Sequence, residues 1–261
     1  QIYYVLAGLA LMFLLTLVDY HALMEQVPLM YLVSLGLLVS VLVVGRKVLG
    51  ARRWIHLFGG LNIQVSEFVK LVIILAMARY FADTRQEQLS SGDLAKVGAI
   101  AGLPMGLILL QPDLGTALTY APIAMTALFL GGIRWQHTAV GLLLVALAMP
   151  VAWRYGLKPY QKARLVSFVS PEEDPLKAGY QVLQSKIAVG SGGLWGKGTA
   201  KGTQTQLSFL PVPHTDFIFA AFAEEHGFFG VLSALLLYFM VLMRLVHNAQ
   251  TAPDRAGVFI V

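Results

Sequence analysis

Residues 27–44 read Val-Pro-Leu-Met-Tyr-Leu-Val-Ser-Leu-Gly-Leu-Leu-Val-Ser-Val-Leu-Val-Val, without a single charged side chain. A run of this length and apolarity matches the roughly 17–25 residues needed to cross a bilayer as a helix. Two further runs have the same character, Ile2–Val18 and Leu114–Ile133. Four shorter or interrupted ones are Ser66–Phe81, Val97–Leu110, Thr138–Trp153 and Phe228–Met243. Val97–Leu110 contains Pro104, which a membrane helix tolerates when neighbours satisfy the freed backbone groups.

Composition agrees with this reading. Of 261 residues, 57% are hydrophobic and 13% are charged, with mean hydropathy +0.69. Soluble domains carry about 25% charged residues. The expected fold is an all-α polytopic membrane protein with about seven spans and the start of another. Residues 1–152 are read as helices with short loops, 153–216 as a large loop, and 217–261 as a helix and the start of the next. Together they are expected to form one membrane domain. The chain begins at Gln1 inside an apolar run and ends in Gly257-Val258-Phe259-Ile260-Val261, so it is read as an interior piece of a longer protein. It has no cysteine, which excludes disulfides and thiolate metal sites.

Alternating spans divide the connections between two faces. Short connections on one face carry six Lys/Arg, and those on the other carry four, Arg46, Lys47, Arg52 and Arg53. The positive-inside rule therefore places the first face weakly in the cytoplasm. The opposite face also holds the long loop, with eight more cations, Arg154, Lys158, Lys162, Arg164, Lys177, Lys186, Lys197 and Lys201. Such a face attracts an anion, for example a diphosphate or a lipid headgroup. A solvated basic loop is the plain alternative.

Polar residues cluster at that face. Gln64-Val65-Ser66-Glu67-Phe68-Val69-Lys70 opens a span, with Ser66 expected as its N-cap. Glu67 and Lys70 share a helix face, either as a local ion pair or as a lysine held for an anionic substrate. Gln111-Pro112-Asp113-Leu114-Gly115-Thr116 reads as a tight turn, where Asp113 either caps the next helix or adds a carboxylate to the cluster. Arg52-Arg53-Trp54 fits an interface belt and equally well bidentate phosphate contact.

The long loop contains Gly179–Val189, compatible with a surface amphipathic helix. It also contains Gly190-Ser191-Gly192-Gly193-Leu194-Trp195-Gly196-Lys197-Gly198, which permits close approach to a ligand or serves as a flexible connector. The Walker spacing is absent, so nucleotide binding is not read here, and no nucleic-acid partner is expected. The loop leaves through Pro213-His214-Thr215-Asp216-Phe217-Ile218. A carboxylate at a helix doorway loses hydration and is a functional candidate by default. Glu224 and Glu225 follow by about two turns and are read as supporting or pore-facing.

In order, the chain carries R-R-W-I, Q-x-S-E-x-x-K, Q-P-D-L-G-T, G-Y-Q-x-x-x-S-K-I-A-x-G-S-G-G-x-x-G-K-G and L-P-x-x-H-T-D-F-I-F-A-x-x-A-E-E-x-G. This pattern resembles the SEDS family (shape, elongation, division and sporulation). Gly202–Leu207, followed by Ala223-Glu224-Glu225, is closer to its RodA elongation branch than to the FtsW division branch. The resemblance covers essentially the whole chain. Two small departures are Val65, where the family usually has Pro, and Pro213, where a polar residue is common.

The resemblance implies a ten-helix bundle, here the second helix to the start of the ninth, in the bacterial cytoplasmic membrane. It implies a peptidoglycan glycosyltransferase that polymerises lipid II on the extracytoplasmic face, with a class B penicillin-binding protein as partner. Asp216 matches the family's essential aspartate and is expected to be the general base of an inverting transfer. Lys70, Arg53 and Lys186 are expected at the diphosphate, with Glu67, Asp113, Gln111 and His214 in substrate binding. A divalent cation, Mg or Mn, near Asp216, Asp113 and Glu67 is a further expectation. A lipid II flippase is the main alternative, and a non-catalytic scaffold is a third.

Overall fold

The computed structural model describes residues 2–48, 51–56, 62–84, 88–173, 178–210 and 212–261. Each of the seven apolar runs is helical. The helices are α1 (Ile2–Thr16), α2 (Tyr20–Val44), α3 (Val65–Asp83), α4 (Ser91–Leu110), α5 (Leu114–Leu130), α6 (Trp135–Val151) and, later in the chain, α10 (Ile218–Gln250). By length and apolarity, Tyr20–Val43, Ser91–Leu110, Trp135–Gly156 and Ile218–Gln250 can cross a membrane, while α1 and α5 are shorter apolar helices. The chain is a helical membrane protein. Four charged residues in α3, Glu67, Lys70, Arg79 and Asp83, interrupt its apolar character.

Two departures from the expected elements have clear causes. α4 begins six residues before the apolar run, because Ser90 and Asp93 form a capping box that extends it into polar sequence. Ser66 is not a cap: Gln64 holds the N-cap position of α3, and Ser66 is buried in the first turn. A short strand leads straight into this helix, so it starts earlier than the Ser signal suggested. That strand, β3 (Asn62–Gln64), pairs antiparallel with β2 (Ala51–His56), which pairs antiparallel with β1 (Arg46–Val48). This small sheet is the exception to the all-α expectation.

Two compact units are distinguished, residues 1–140 with 248–261, and residues 141–247. In the first, α3 packs against α2, α4, α5 and α11 (Arg255–Ile260). Its core includes Leu38, Val69, Ile73, Met77, Phe81 and Tyr120. Phe81 stacks on Phe259 with ring centroids 4.8 Å apart. Three prolines, Pro28, Pro104 and Pro122, lie inside helices here, and each frees the carbonyl four residues earlier. Pro28 frees Met24, whose carbonyl accepts from the Arg79 guanidinium; Arg79 also donates to Glu25 O at 2.9 Å. Pro104 frees Ile100, whose carbonyl accepts from the Tyr31 hydroxyl at 3.0 Å.

The second unit contains the long loop. It folds as α7 (Pro159–Val169), α8 (Ala178–Ser191) and α9 (Thr203–Gln206) before α10. α10 is broken at Gly227 (φ 65°, ψ −165°), one residue before the apolar run read from the sequence. The glycine run covers this break. Lys197 N donates to Glu224 O at 3.0 Å and Gly198 N to Glu225 O at 2.9 Å. In return, Phe228 N donates to Gly193 O at 2.9 Å and Phe229 N to Leu194 O at 3.2 Å. The run is therefore tied to α10 rather than being a free connector. Its glycines let two stretches of the same chain touch.

This packing predicts a contrast between two glycines. Gly196 has φ +78°, and a Cβ there would fall inside contact distance of the Glu225 carbonyl, whereas Gly190 faces open space within α8. Gly196→Ala is expected to cost about 2 kcal/mol or more. Gly190→Ala is expected to be neutral or stabilising by up to roughly 1 kcal/mol. Thermal unfolding of the two variants in detergent measures the difference.

Candidate functional site

In the first unit, β2 and the α4–α5 turn bring basic and acidic residues together. Arg53 reaches from the sheet to the α4–α5 turn. Its Nη2 donates to Pro112 O at 2.7 Å, and its Nε lies 3.4 Å from Asp113 Oδ2, an ion-pair contact without hydrogen-bond geometry. Asp113 is buried. It caps α5 by accepting from Thr116 N at 3.2 Å and from Thr116 Oγ1 at 2.9 Å. Gln64 Nε2 reaches Asp113 Oδ2 at 3.3 Å. Asp113 is thus both the cap and part of the charged cluster, so the two readings of its sequence context are not exclusive.

Gln111 is also buried, and its amide donates to Leu38 O at 3.0 Å, which fastens the turn to α2. Glu67 and Lys70 form an ion pair at 2.8 Å on the first turns of α3, with Glu67 exposed and Lys70 partly buried. Tyr120 of α5 donates to Ser66 O at 2.7 Å, setting the rotation of α3 and hence the direction of that pair.

In the second unit, Asp216, His214 and Lys186 are exposed. Among the described residues, no hydrogen bond or ion pair reaches the Asp216 carboxylate. Its neighbour Phe217 packs against a small core of Ala188 from α8, Leu210 from the loop and Ala220 from α10. Asp216 therefore stands exposed beside a packed residue.

Two turns further along α10 lies a group that the sequence reading saw only dimly. Glu224 is fully buried. Its Oε1 accepts from Lys197 Nζ at 2.7 Å, Gln204 N at 3.0 Å and Thr203 Oγ1 at 3.1 Å; its Oε2 accepts from Thr205 Oγ1 at 2.9 Å. A buried carboxylate needs this much compensation, because its desolvation is otherwise costly. The signal in the sequence was the set of polar residues Ser191, Lys197, Thr203 and Thr205 within a glycine-rich stretch. Among the described residues, no three His, Cys, Asp or Glu side chains gather as metal ligands.

The dual role of Asp113 predicts different outcomes for two substitutions. Asp113→Ala removes both the cap and the partner of Arg53, and is expected to lower stability by at least ~1 kcal/mol. Asp113→Asn keeps an oxygen for Thr116 and is expected to lose less. Unfolding temperatures of both variants in detergent check this order.

The family profile described as FtsW/RodA/SpoVE, cell cycle protein, matches residues 1–261. The peptidoglycan glycosyltransferase MrdB of Escherichia coli K12 is 40% identical over 251 residues, covering 96% of this chain and 67% of MrdB. Among solved structures, a chain of a peptidoglycan synthase complex, described for its coordination of polymerization and crosslinking, has a TM-score of 0.79 at 35% identity. That match covers 97% of this chain and 70% of the other. The crystal structure of the rod shape determining protein RodA of Thermus thermophilus has a TM-score of 0.64 at 31% identity, covering 97% of this chain and 66% of that one. The ordered motifs, the helical fold and these likenesses agree: the chain belongs to the FtsW/RodA/SpoVE family.

Proposed function

We propose that this chain is the membrane core of a peptidoglycan glycosyltransferase that polymerises lipid II into glycan strands during cell elongation. The names of its relatives support the activity. What supports Asp216 as the base is its match to the family's aspartate together with an open carboxylate, unlike three other acids of the motifs. Glu67 faces Lys70, Asp113 faces Arg53 and Glu224 faces Lys197. Asp216 is exposed and has no such partner among the described residues. A general base needs a lone pair that is not already committed to a cation.

Lipid II carries its sugar α-linked to a diphosphate, and the product bond is β1,4. A single displacement therefore suffices. The acceptor 4-hydroxyl attacks the donor anomeric carbon, Asp216 takes the hydroxyl proton, and the undecaprenyl diphosphate leaves. Lys70 and Arg53 neutralise the leaving diphosphate, with Lys186 as a further cation, and one such contact lowers the barrier by ~2.7–4 kcal/mol. Glu67 and Asp113 hold Lys70 and Arg53 in place. Gln111 supports the turn that carries Asp113, and His214 lies beside the base in sequence. The reaction is proposed to occur outside the cytoplasmic membrane, with a class B penicillin-binding protein as partner. A divalent cation, Mg or Mn, is proposed as a companion of the diphosphate; Asp113 and Glu67 already have cationic partners, so no step is assigned to the ion.

With full-length protein, its partner and labelled lipid II, wild type is expected to give a ladder of glycan chains on a gel. Asp216→Ala and Asp216→Asn are expected to give none while keeping the wild-type unfolding temperature. A ladder from Asp216→Ala would overturn the assignment of the base. Absence of a ladder from every form, with lipid II crossing vesicle membranes instead, would favour a flippase. EDTA is expected to suppress the ladder, and excess Mg or Mn to restore it.

A further inference from the structure

We propose that a groove at the end of α6 binds the phosphate of an anionic glycerophospholipid. The groove is lined by Ala146, Met149, Pro150, Trp153, Arg154 and Lys162 and has a volume of about 790 Å³. Its shape follows from local backbone chemistry. Pro150 has no N–H, so the regular helical ladder fails near the end of α6. The chain continues as a single π-helical turn, Ala152–Gly156, closed by Leu157 N donating to Ala152 O at 2.8 Å. Such turns are rare and concentrate at functional sites.

Residues 146, 149, 150, 153 and 154 fall on one stripe by helical spacing. Along it the chemistry changes from aliphatic, through the Trp153 ring, to the Arg154 guanidinium. Lys162, in the first turns of α7, adds a second cation to the same groove. This order matches the layers of a membrane edge: acyl chain, interfacial aromatic, phosphate. The Arg154 guanidinium lies over the Tyr155 ring, with its carbon 5.6 Å from the ring centroid.

Charge and exposure together choose the occupant. The groove has two cations and no carboxylate among its lining residues, so it is complementary to an anion. None of the residues of α6 is buried, so its sides are apolar and open to the surrounding lipid. An anionic phospholipid of the bulk membrane supplies both the phosphate and the acyl chain that these features call for.

The test uses full-length protein in phosphatidylcholine vesicles doped with phosphatidylglycerol brominated on its acyl chains. Quenching of Trp153 is read as the difference between wild type and Trp153→Phe. Brominated phosphatidylglycerol is expected to quench Trp153 in preference to brominated phosphatidylcholine, with roughly five-fold preference contributed by each cation. The double variant Arg154→Gln, Lys162→Gln is expected to lose that preference. Unchanged quenching of Trp54, Trp135 and Trp195 in the double variant would show that it still folds and inserts. Equal quenching by the two lipids, or a preference that survives the double substitution, overturns the proposal. Displacement of the brominated lipid by equimolar undecaprenyl diphosphate also overturns it, because the groove would then belong to the substrate's carrier.

Discussion

Away from water, every backbone N–H and C=O must find its partner within the protein, and each break in a helix creates groups that have none. This chain breaks its helices repeatedly, and three of the breaks are met by residues far away in the sequence. Arg79 meets the carbonyl freed by Pro28, and Tyr31 meets the one freed by Pro104. Residues 193–198 meet the groups freed at Gly227. The packing of α2 against α3 and α4, and of the loop against α10, thus has a polar specification beneath its apolar one. A helix rotated by one residue would keep most of its hydrophobic contact and lose these bonds.

The charged residues obey a related economy. Lys197 and Glu224 meet at 2.7 Å, with the carboxylate fully buried and the hydroxyls of Thr203 and Thr205 completing its shell. A buried ion pair is weak support for stability, because desolvation offsets much of the attraction. What it does well is reject alternatives. Few arrangements of the stretch from Ser191 to Thr205 present so many donors to one carboxylate, so the pair fixes the path of the loop. The same loop supplies Leu210 and, through Phe217, the corner on which Asp216 stands.

The membrane helices were legible because a long uncharged run has few soluble uses, and Ile2–Val18 or Val27–Val44 hardly admits another reading. A helix at Gly179–Val189 was legible from spacing, and it appears as α8. The sheet formed by Arg46–Val48, Ala51–His56 and Asn62–Gln64 was not. Its strands are short and mix charged with aromatic residues, so they lack the alternation that marks a half-buried strand. Ser66 misled for a similar reason: a good capping residue says where a helix is able to begin, while β3 decided where it does begin. The pairing of Arg53 with Asp113 joins residues sixty apart, a distance over which spacing carries no information. The glycine run stands out in the sequence, but its contact with α10 does not. Glycine permits close approach of any backbone, and here the approaching backbone is the chain's own.

That last point bears on how such a site is able to work. A glycine-rich loop with several lysines invites the idea of a mobile flap that wraps its ligand. The hydrogen bonds from Lys197 and Gly198 to α10, and from Phe228 and Phe229 back to the loop, make the opposite arrangement. The polar segment becomes an extension of the helix scaffold, and positions set by helices are more precise than positions set by free loops. Within this unit the buried Glu224 faces a cation and ties the loop to α10, while Asp216 stands exposed at the loop's exit. An exposed acid beside a packed residue keeps its oxygens available while its backbone is held. Those are the two requirements of a base that must meet a hydroxyl presented by a second, mobile substrate.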